Sequence, residues 1–254
     1  IDLILDWTIL TGEDPQAERS KGKQLKLNQE IDERGQSYIG GELLQKLTES
    51  VAPVCSCEVD SEDHHVLNIR YPGSFGDEYL RPEVRLEIGP LASWLPFAEY
   101  TIRPYAAEEF QNIFDRSECK VKAIKAERTF WEKATILHHE ANRPVVNIQS
   151  PRYSRHYYDL AKMAESPVKE TALTDLDLLA SVVEFKERFY PRGWARYDLA
   201  KPGTLRLVPT GHVLATVTAD YRAMRTMIFG DYPPIKTIMT QLQALEDEIN
   251  GLTA

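Results

Sequence analysis

The spacing of apolar residues changes character once along this chain, and that change limits what the chain can fold into. Before residue 90, three short runs read as β-strands: Val54-Cys55-Ser56-Cys57-Glu58-Val59, Val66-Leu67-Asn68-Ile69-Arg70-Tyr71 and Glu83-Val84-Arg85-Leu86-Glu87-Ile88. Residues 60–64 join the first two as a hairpin loop, and Gly89-Pro90 ends the third. Beyond Tyr105 the apolar residues recur every three or four positions, the period that lines one face of a helix. Helices are predicted over residues 120–140, 152–164, 175–189, 208–229 and 235–250, with Asp231-Tyr232-Pro233-Pro234 breaking the chain before the last. Upstream, Ile39, Leu43, Leu44, Leu47 and Val51 predict a helix over 36–50. Residues 1–10 read as a strand, and the polar stretch 11–34, with Gly12, Pro15 and Gly22, reads as a loop bearing Arg19, Lys21, Lys23 and Lys26. The expected fold class is α+β, with an α+β unit over residues 1–105 and a helical unit over 106–254.

Composition narrows the function classes. A net charge of −9 over 254 residues argues against a generally basic nucleic-acid-binding surface, though it allows a local basic patch. No run approaches the roughly 18 apolar residues needed to span a bilayer, and no signal peptide is visible. Three cysteines do not make a disulfide framework in a chain this long, which points to a reducing, cytoplasmic compartment.

Several residue groups could carry chemistry. Asp2 and Glu87 each lie in an expected strand, and Glu87 points away from its apolar neighbours Leu86 and Ile88. Carboxylates on neighbouring strands are what two-metal phosphoryl chemistry needs, since they hold Mg²⁺ ions roughly 3.5–4 Å apart around the attacking and leaving oxygens. On spacing alone, solvent-facing strand acids are the commoner reading. Asp6, four residues after Asp2, would share its strand face as a helper. Thr129 and Lys133 fall on one helical face, as do Arg155 and Asp159. A lysine can meet a triphosphate as a point charge and an aspartate can orient it; ordinary ion pairs on amphipathic helices are the alternative. Cys55, Cys57, His64 and His65 lack the usual zinc-knuckle spacing, so the two cysteines are expected to face the core. His138 and His139 are expected at the surface, near a helix end. Gly73-Ser74-Phe75-Gly76 is read as a turn between strands and not as a phosphate loop.

Taken in order, strand Ile1-Asp2-Leu3, strand Arg85-Leu86-Glu87-Ile88, then Glu127-Arg128-Thr129-Phe130-Trp131-Glu132-Lys133 and Ser154-Arg155-His156-Tyr157-Tyr158-Asp159-Leu160 closely resemble the AbiEii/AbiGii-type toxin nucleotidyltransferases of the polymerase-β-like superfamily. The ending also fits: Asp220-Tyr221, Met227-Ile228, Pro233-Pro234 and a last helix closing on Glu248-Ile249-Asn250. The resemblance implies a mixed sheet with helices followed by an α-helical C-terminal domain. It also implies Mg²⁺-dependent transfer of a nucleoside monophosphate from an NTP to an acceptor hydroxyl, with tRNA or another RNA as acceptor and a cognate antitoxin as partner. Asp2 matches the second acid of an Asp-x-Asp metal motif and Glu87 the third acid. Lys133 matches a triphosphate lysine and Asp159 its supporting acid, with Thr129, Arg128 and Arg155 as nucleotide- or RNA-binding candidates. Lys120, Lys122, Lys125, Arg128, Arg143, Arg152 and Arg155 are candidates for a basic groove. The family's Gly-Ser/Thr turn and first acid would lie upstream of Asp2, so the chain is expected to begin just inside the metal motif. A catalytically inactive binding module and an antibiotic-type enzyme on a small-molecule acceptor are the rival functions.

Overall fold

Alternating strand residues in the N-terminal third build one four-stranded sheet. In the computed structural model, which describes residues 1–73, 83–93 and 95–252, the chain forms two units: Ile1–Ser93 with Ala223–Asp231, and Trp94–Arg222 with Tyr232–Ala254.

The first unit begins with β1 (Asp2–Ile4), α1 (Trp7–Leu10) and α2 (Lys21–Tyr38). A widened π turn over Ile39–Leu43 carries the chain into α3 (Leu44–Val51), and β2 (Ser56–Val59), β3 (Val66–Arg70) and β4 (Glu83–Gly89) follow. The strand order is β1-β4-β3-β2, with β1 parallel to β4 and the other pairs antiparallel. Register puts Leu67 opposite Leu86 and Cys57 opposite Ile69. This apolar face packs on Ile39, Leu43, Leu44 and Leu47 from the helical side. The other face carries Asp2, Glu87, Arg85, Asn68 and Glu58, because side chains alternate along each strand.

Two expectations fail here. The strand expected over 1–10 stops at Ile4, because Asp6 turns its carboxylate onto Thr8 N (2.9 Å) and Thr8 Oγ1 (2.6 Å) and caps a helix. Asp6 is therefore a cap and not a strand-face partner of Asp2. The loop expected over 11–34 is largely α2. Its breakers fall before or at the start of the helix, and Gln24, Leu27, Ile31 and Gly35 form its buried stripe. Gly35 is needed for close approach: a Cβ there would lie 3.1 Å from the Pro90 side chain.

The second unit opens with β5 (Phe97–Ile102), α4 (Ala106–Glu109) and β6 (Cys119–Ile124), the strands pairing antiparallel. Then come α5 (Ala126–Ala141), α6 (Ser154–Ala164), α7 (Val168–Leu173), α8 (Leu176–Phe189), α9 (Gly211–Ala223) and α10 (Ile235–Asn250). The helix expected over 120–140 thus begins only at Ala126, since Val121 and Ala123 alternate with Lys120 and Lys122 and suit a strand. No helix among the described residues is long and apolar enough to cross a membrane.

The helix α5 is the centre of this unit and packs against α6, α7 and α8. Phe130, Trp131, Ala134 and Leu137 are fully buried, and so are Thr135, His138 and Glu140. Buried polar groups need partners, and each of these three has them. His138 sits between Arg196 O (2.9 Å) and Arg206 N (3.0 Å), which ties the loops after α8 to α5. Glu140 accepts from Arg143 Nε (2.7 Å), Arg143 Nη2 (2.6 Å) and Gln149 Nε2 (2.7 Å), and lies 2.8 Å from His139 Nε2. His138 and His139 are therefore interior linchpins, not surface residues. Arg143, expected in a basic groove, is buried against Glu140 with its guanidinium 4.8 Å from the Trp194 ring.

Two side-chain clamps hold the start of α6 and the end of α10. Asp220 of α9 accepts from Arg152 N (2.7 Å) and Ser154 N (2.8 Å), holding the start of α6. Asn250 exchanges two hydrogen bonds with the Leu205 backbone, 3.0 and 2.9 Å, which anchors the end of α10. Asp220 and Asn250, both in the ending quoted for the resemblance, are thus clamps.

Two outcomes follow for stability. Asp220→Ala leaves two backbone N–H groups without their acceptor and should cost about 1–3 kcal/mol, read as a lower urea midpoint. Glu140→Gln should cost about 3–5 kcal/mol, because it strands the buried Arg143. Burial works against the Glu140 carboxylate, but His139 and Arg143 hold its pKa down to about 2. Its folded value lies below the unfolded one, so its stabilisation is complete above the ordinary carboxylate pKa of about 4.3 and is lost as pH falls towards 2. Urea unfolding across that range should show a slope that Glu140→Gln removes.

Candidate active site

In the first unit, Asp2 and Glu87 are direct register partners across the parallel β1–β4 pair. Neighbouring strands lie about 4.8 Å apart and partnered side chains share a face, so one cation can be reached by both carboxylates. Both residues are exposed. Asp2 makes no hydrogen bond or ion pair among the described residues. Glu87 Oε1 accepts from Arg85 Nε at 3.2 Å. Arg85 in turn donates to Asp60 Oδ2 at 2.7 Å. Asp60 is drawn well below the usual carboxylate range by hydrogen bonds from Asn68, the Glu62 and Asp63 backbone and Arg85. A firmly ionised Asp60 therefore shares the Arg85 charge with Glu87 and steadies it beside Asp2.

These residues fit a hard divalent ion. Mg²⁺ keeps several waters and is held by one or two carboxylates together with substrate phosphates. No group of three or more His, Cys, Asp or Glu converges on one point among the described residues, so the arrangement is a carboxylate pair and not a closed cage. Cys55 and Cys57 are free thiols, and Cys57 packs against the core, where burial pushes its thiol pKa up. His65 lies 3.2 Å from Asp32 and 3.6 Å from Asp63. Ser74, Phe75 and Gly76 of the expected turn lie outside the described residues.

In the second unit, α5 and α6 bring Lys133 and Asp159 together. Lys133 Nζ donates to Asp159 Oδ2 at 2.8 Å and lies 3.2 Å from His156 Nδ1. The Lys133 side chain keeps 20% of its surface exposed, so the ammonium is held at the edge of the protein rather than inside it. Thr129 lies half-buried one turn before Lys133, and Arg155 lies exposed one turn before Asp159. Burial, reinforced by the positive charges of Lys133, Arg155 and Lys186, pushes the His156 pKa down to about 3. The imidazole is therefore neutral at physiological pH. Lys186 of α8 donates to Glu132 O at 3.0 Å, and burial lowers its pKa to about 7 against the pull of Glu132.

Arg128, expected to meet nucleotide or RNA, faces inward. It donates to Glu132 Oε1 (2.9 Å) and Leu95 O (2.7 Å) and lies 5.9 Å from the Phe185 ring centroid. Its i, i+4 spacing to Glu132 resembles a surface ion pair, but the position falls on the buried side of α5. Lys120, Lys122 and Lys125 are exposed, with Lys120 paired to Glu99 and Lys122 lying over Phe97. His156 and Lys186 were not anticipated. The spacing of His156, three residues before Asp159 on the same helix, was a signal that could have found it. Lys186 comes from a third helix and had no such local signature.

Comparison with protein families gives a match over residues 1–246 to the family described as nucleotidyl transferase AbiEii toxin, type IV TA system. Comparisons with curated proteins and with solved structures give no match. The match spans nearly the whole chain and takes in the Asp2–Glu87 pair and the Lys133–Asp159 pair alike, and the chain therefore belongs to the AbiEii nucleotidyl transferase toxin family.

Proposed function

We propose that this toxin transfers a nucleoside monophosphate from an NTP to a hydroxyl of RNA, the 3′ end of tRNA being the expected acceptor, on a polymerase-β-like nucleotidyltransferase fold. The acceptor oxygen attacks the α-phosphorus, the bond from that phosphorus to the β-phosphate bridging oxygen breaks, pyrophosphate leaves, and the hydroxyl proton passes to solvent. The observation that carries this reading is the side-by-side, solvent-facing placement of Asp2 and Glu87 across β1 and β4.

Asp2 and Glu87 would hold Mg²⁺ through carboxylate oxygens. The bound ion would supply charge stabilisation at the attacked phosphate and its leaving group. Lys133, fixed by Asp159, would offer its remaining donor to a phosphate oxygen as a point charge. Membership of a toxin–antitoxin family also implies an antitoxin partner.

Charge distribution supports an RNA acceptor. The first unit holds 19 Asp and Glu against 10 Lys and Arg, so it accounts for the whole −9 of the chain, while the second holds 20 against 20. The exposed cations Lys120, Lys122, Lys125 and Arg155 lie in that neutral unit, where phosphates meet less repulsion.

Incubation with each α-labelled NTP, Mg²⁺ and total RNA should label an RNA band of tRNA size. Asp2→Asn and Glu87→Gln should each lower labelling by roughly 10²-fold or more, since several kcal/mol of transition-state stabilisation are removed. Labelling that survives both changes would overturn the assignment of the carboxylate pair. Reversing Lys120, Lys122 and Lys125 to Glu together should weaken RNA labelling and steepen no other step; unchanged labelling would remove these lysines from the acceptor surface.

A further inference from the structure

We infer that His156 is a positioning residue for the transfer reaction, a neutral acceptor that, with Asp159, aims the Lys133 ammonium at the triphosphate. This rests on the nucleotidyl-transfer reading.

An ammonium carries three N–H donors and no acceptor. Lys133 directs one at Asp159 Oδ2 (2.8 Å) and lies within reach of His156 Nδ1 (3.2 Å) with another. Because lysine only donates, the ring nitrogen facing it is the unprotonated one, which assigns the His156 proton to Nε2. Two of the three donors are thereby fixed, and the tetrahedral geometry of the nitrogen fixes the direction of the third. A lysine on a flexible four-carbon stem otherwise retains much rotational freedom.

His156 is itself held. It is 9% exposed, its ring meets Tyr153 edge-on with centroids 5.1 Å apart, and its backbone N donates to Tyr153 O at 3.0 Å. The α6 helix that carries it is anchored by Asp220. The charged groups acting on the ring, Lys133 from α5, Arg155 from α6 and Lys186 from α8, are all cationic and keep it deprotonated. The chemistry of the pair matters too. One carboxylate and one neutral ring leave the Lys133 cluster without net negative charge, so it does not repel a polyphosphate.

The test measures kcat/KM for the NTP in the unsubstituted protein, Asp2→Asn, His156→Leu and His156→Asn. His156→Leu removes the acceptor and should lower kcat/KM by roughly tenfold to a hundredfold, the scale expected when a reacting group is misplaced by about an ångström. His156→Asn places an amide oxygen close to where Nδ1 lies and should restore most of the loss. Thermal unfolding of each variant checks that it is folded. Independently of turnover, the ¹⁵N resonance of His156 Nδ1 in nucleotide-free protein should be that of an unprotonated acceptor and should move when Lys133 is changed to Met. Turnover that Asp2→Asn abolishes and His156→Leu leaves unchanged overturns this inference alone, and so does an Nδ1 signal indifferent to Lys133→Met. No turnover even in the unsubstituted protein overturns the transfer reading and this inference with it.

Discussion

The second unit depends on a single constraint: α5 is buried almost all round, so the charged and histidine side chains it carries inward have to find partners in the protein. An unpaired buried charge is costly, and the unit meets this demand in three directions. Glu140 gathers Arg143, Gln149 and His139. His138 gathers the backbone at Arg196 and Arg206. Arg128 takes Glu132 and the Leu95 carbonyl. These bonds draw the irregular segments between helices onto one rigid rod. Lys133, on the same rod, keeps part of its surface in solvent, and its precision of placement comes from the helix that these contacts grip.

The first unit solves a different problem, that of keeping acids close together. Like charges side by side repel, and Asp2 and Glu87 are neighbours across β1 and β4. Arg85 bridges Glu87 and Asp60, so part of the repulsion is offset while the carboxylates stay open to water. A sheet edge can tolerate such a pair because one face is packed on Ile39, Leu67, Leu86 and Ile88 and the other needs no apolar cover. Rigid strands then set the spacing that a divalent ion would bridge.

Much of this was legible in the sequence, for identifiable reasons. Strands β2, β3 and β4 and helices α6, α8 and α10 announce themselves by unambiguous periods and by Pro or Gly at their ends. The α2 helix was hidden because its buried stripe is short and includes Gln24 and Gly35, which no hydrophobic pattern picks out. The β6 strand was hidden because Lys120-Val121-Lys122-Ala123-Ile124 runs directly into α5 without a breaker. Of the candidate site, the pairing of Asp2 with Glu87 and of Lys133 with Asp159 was readable from strand face, helix spacing and resemblance. The inward turn of Arg128 was not, since an Arg–Glu pair four apart looks the same on either side of a helix. His156 shares a helix face with Asp159, a spacing the sequence does carry, whereas Lys186 reaches Glu132 from another helix, a contact that a linear pattern does not encode.

The most direct measurement is the binding of Mn²⁺, as a spectroscopic substitute for Mg²⁺, followed by electron paramagnetic resonance in the presence of a non-hydrolysable NTP. A bound ion is expected in the unsubstituted protein, with an affinity that falls clearly in Asp2→Asn and in Glu87→Gln while both variants remain folded. Binding of equal strength in all three proteins would contradict the assignment of the carboxylate pair as the metal-holding element of this toxin.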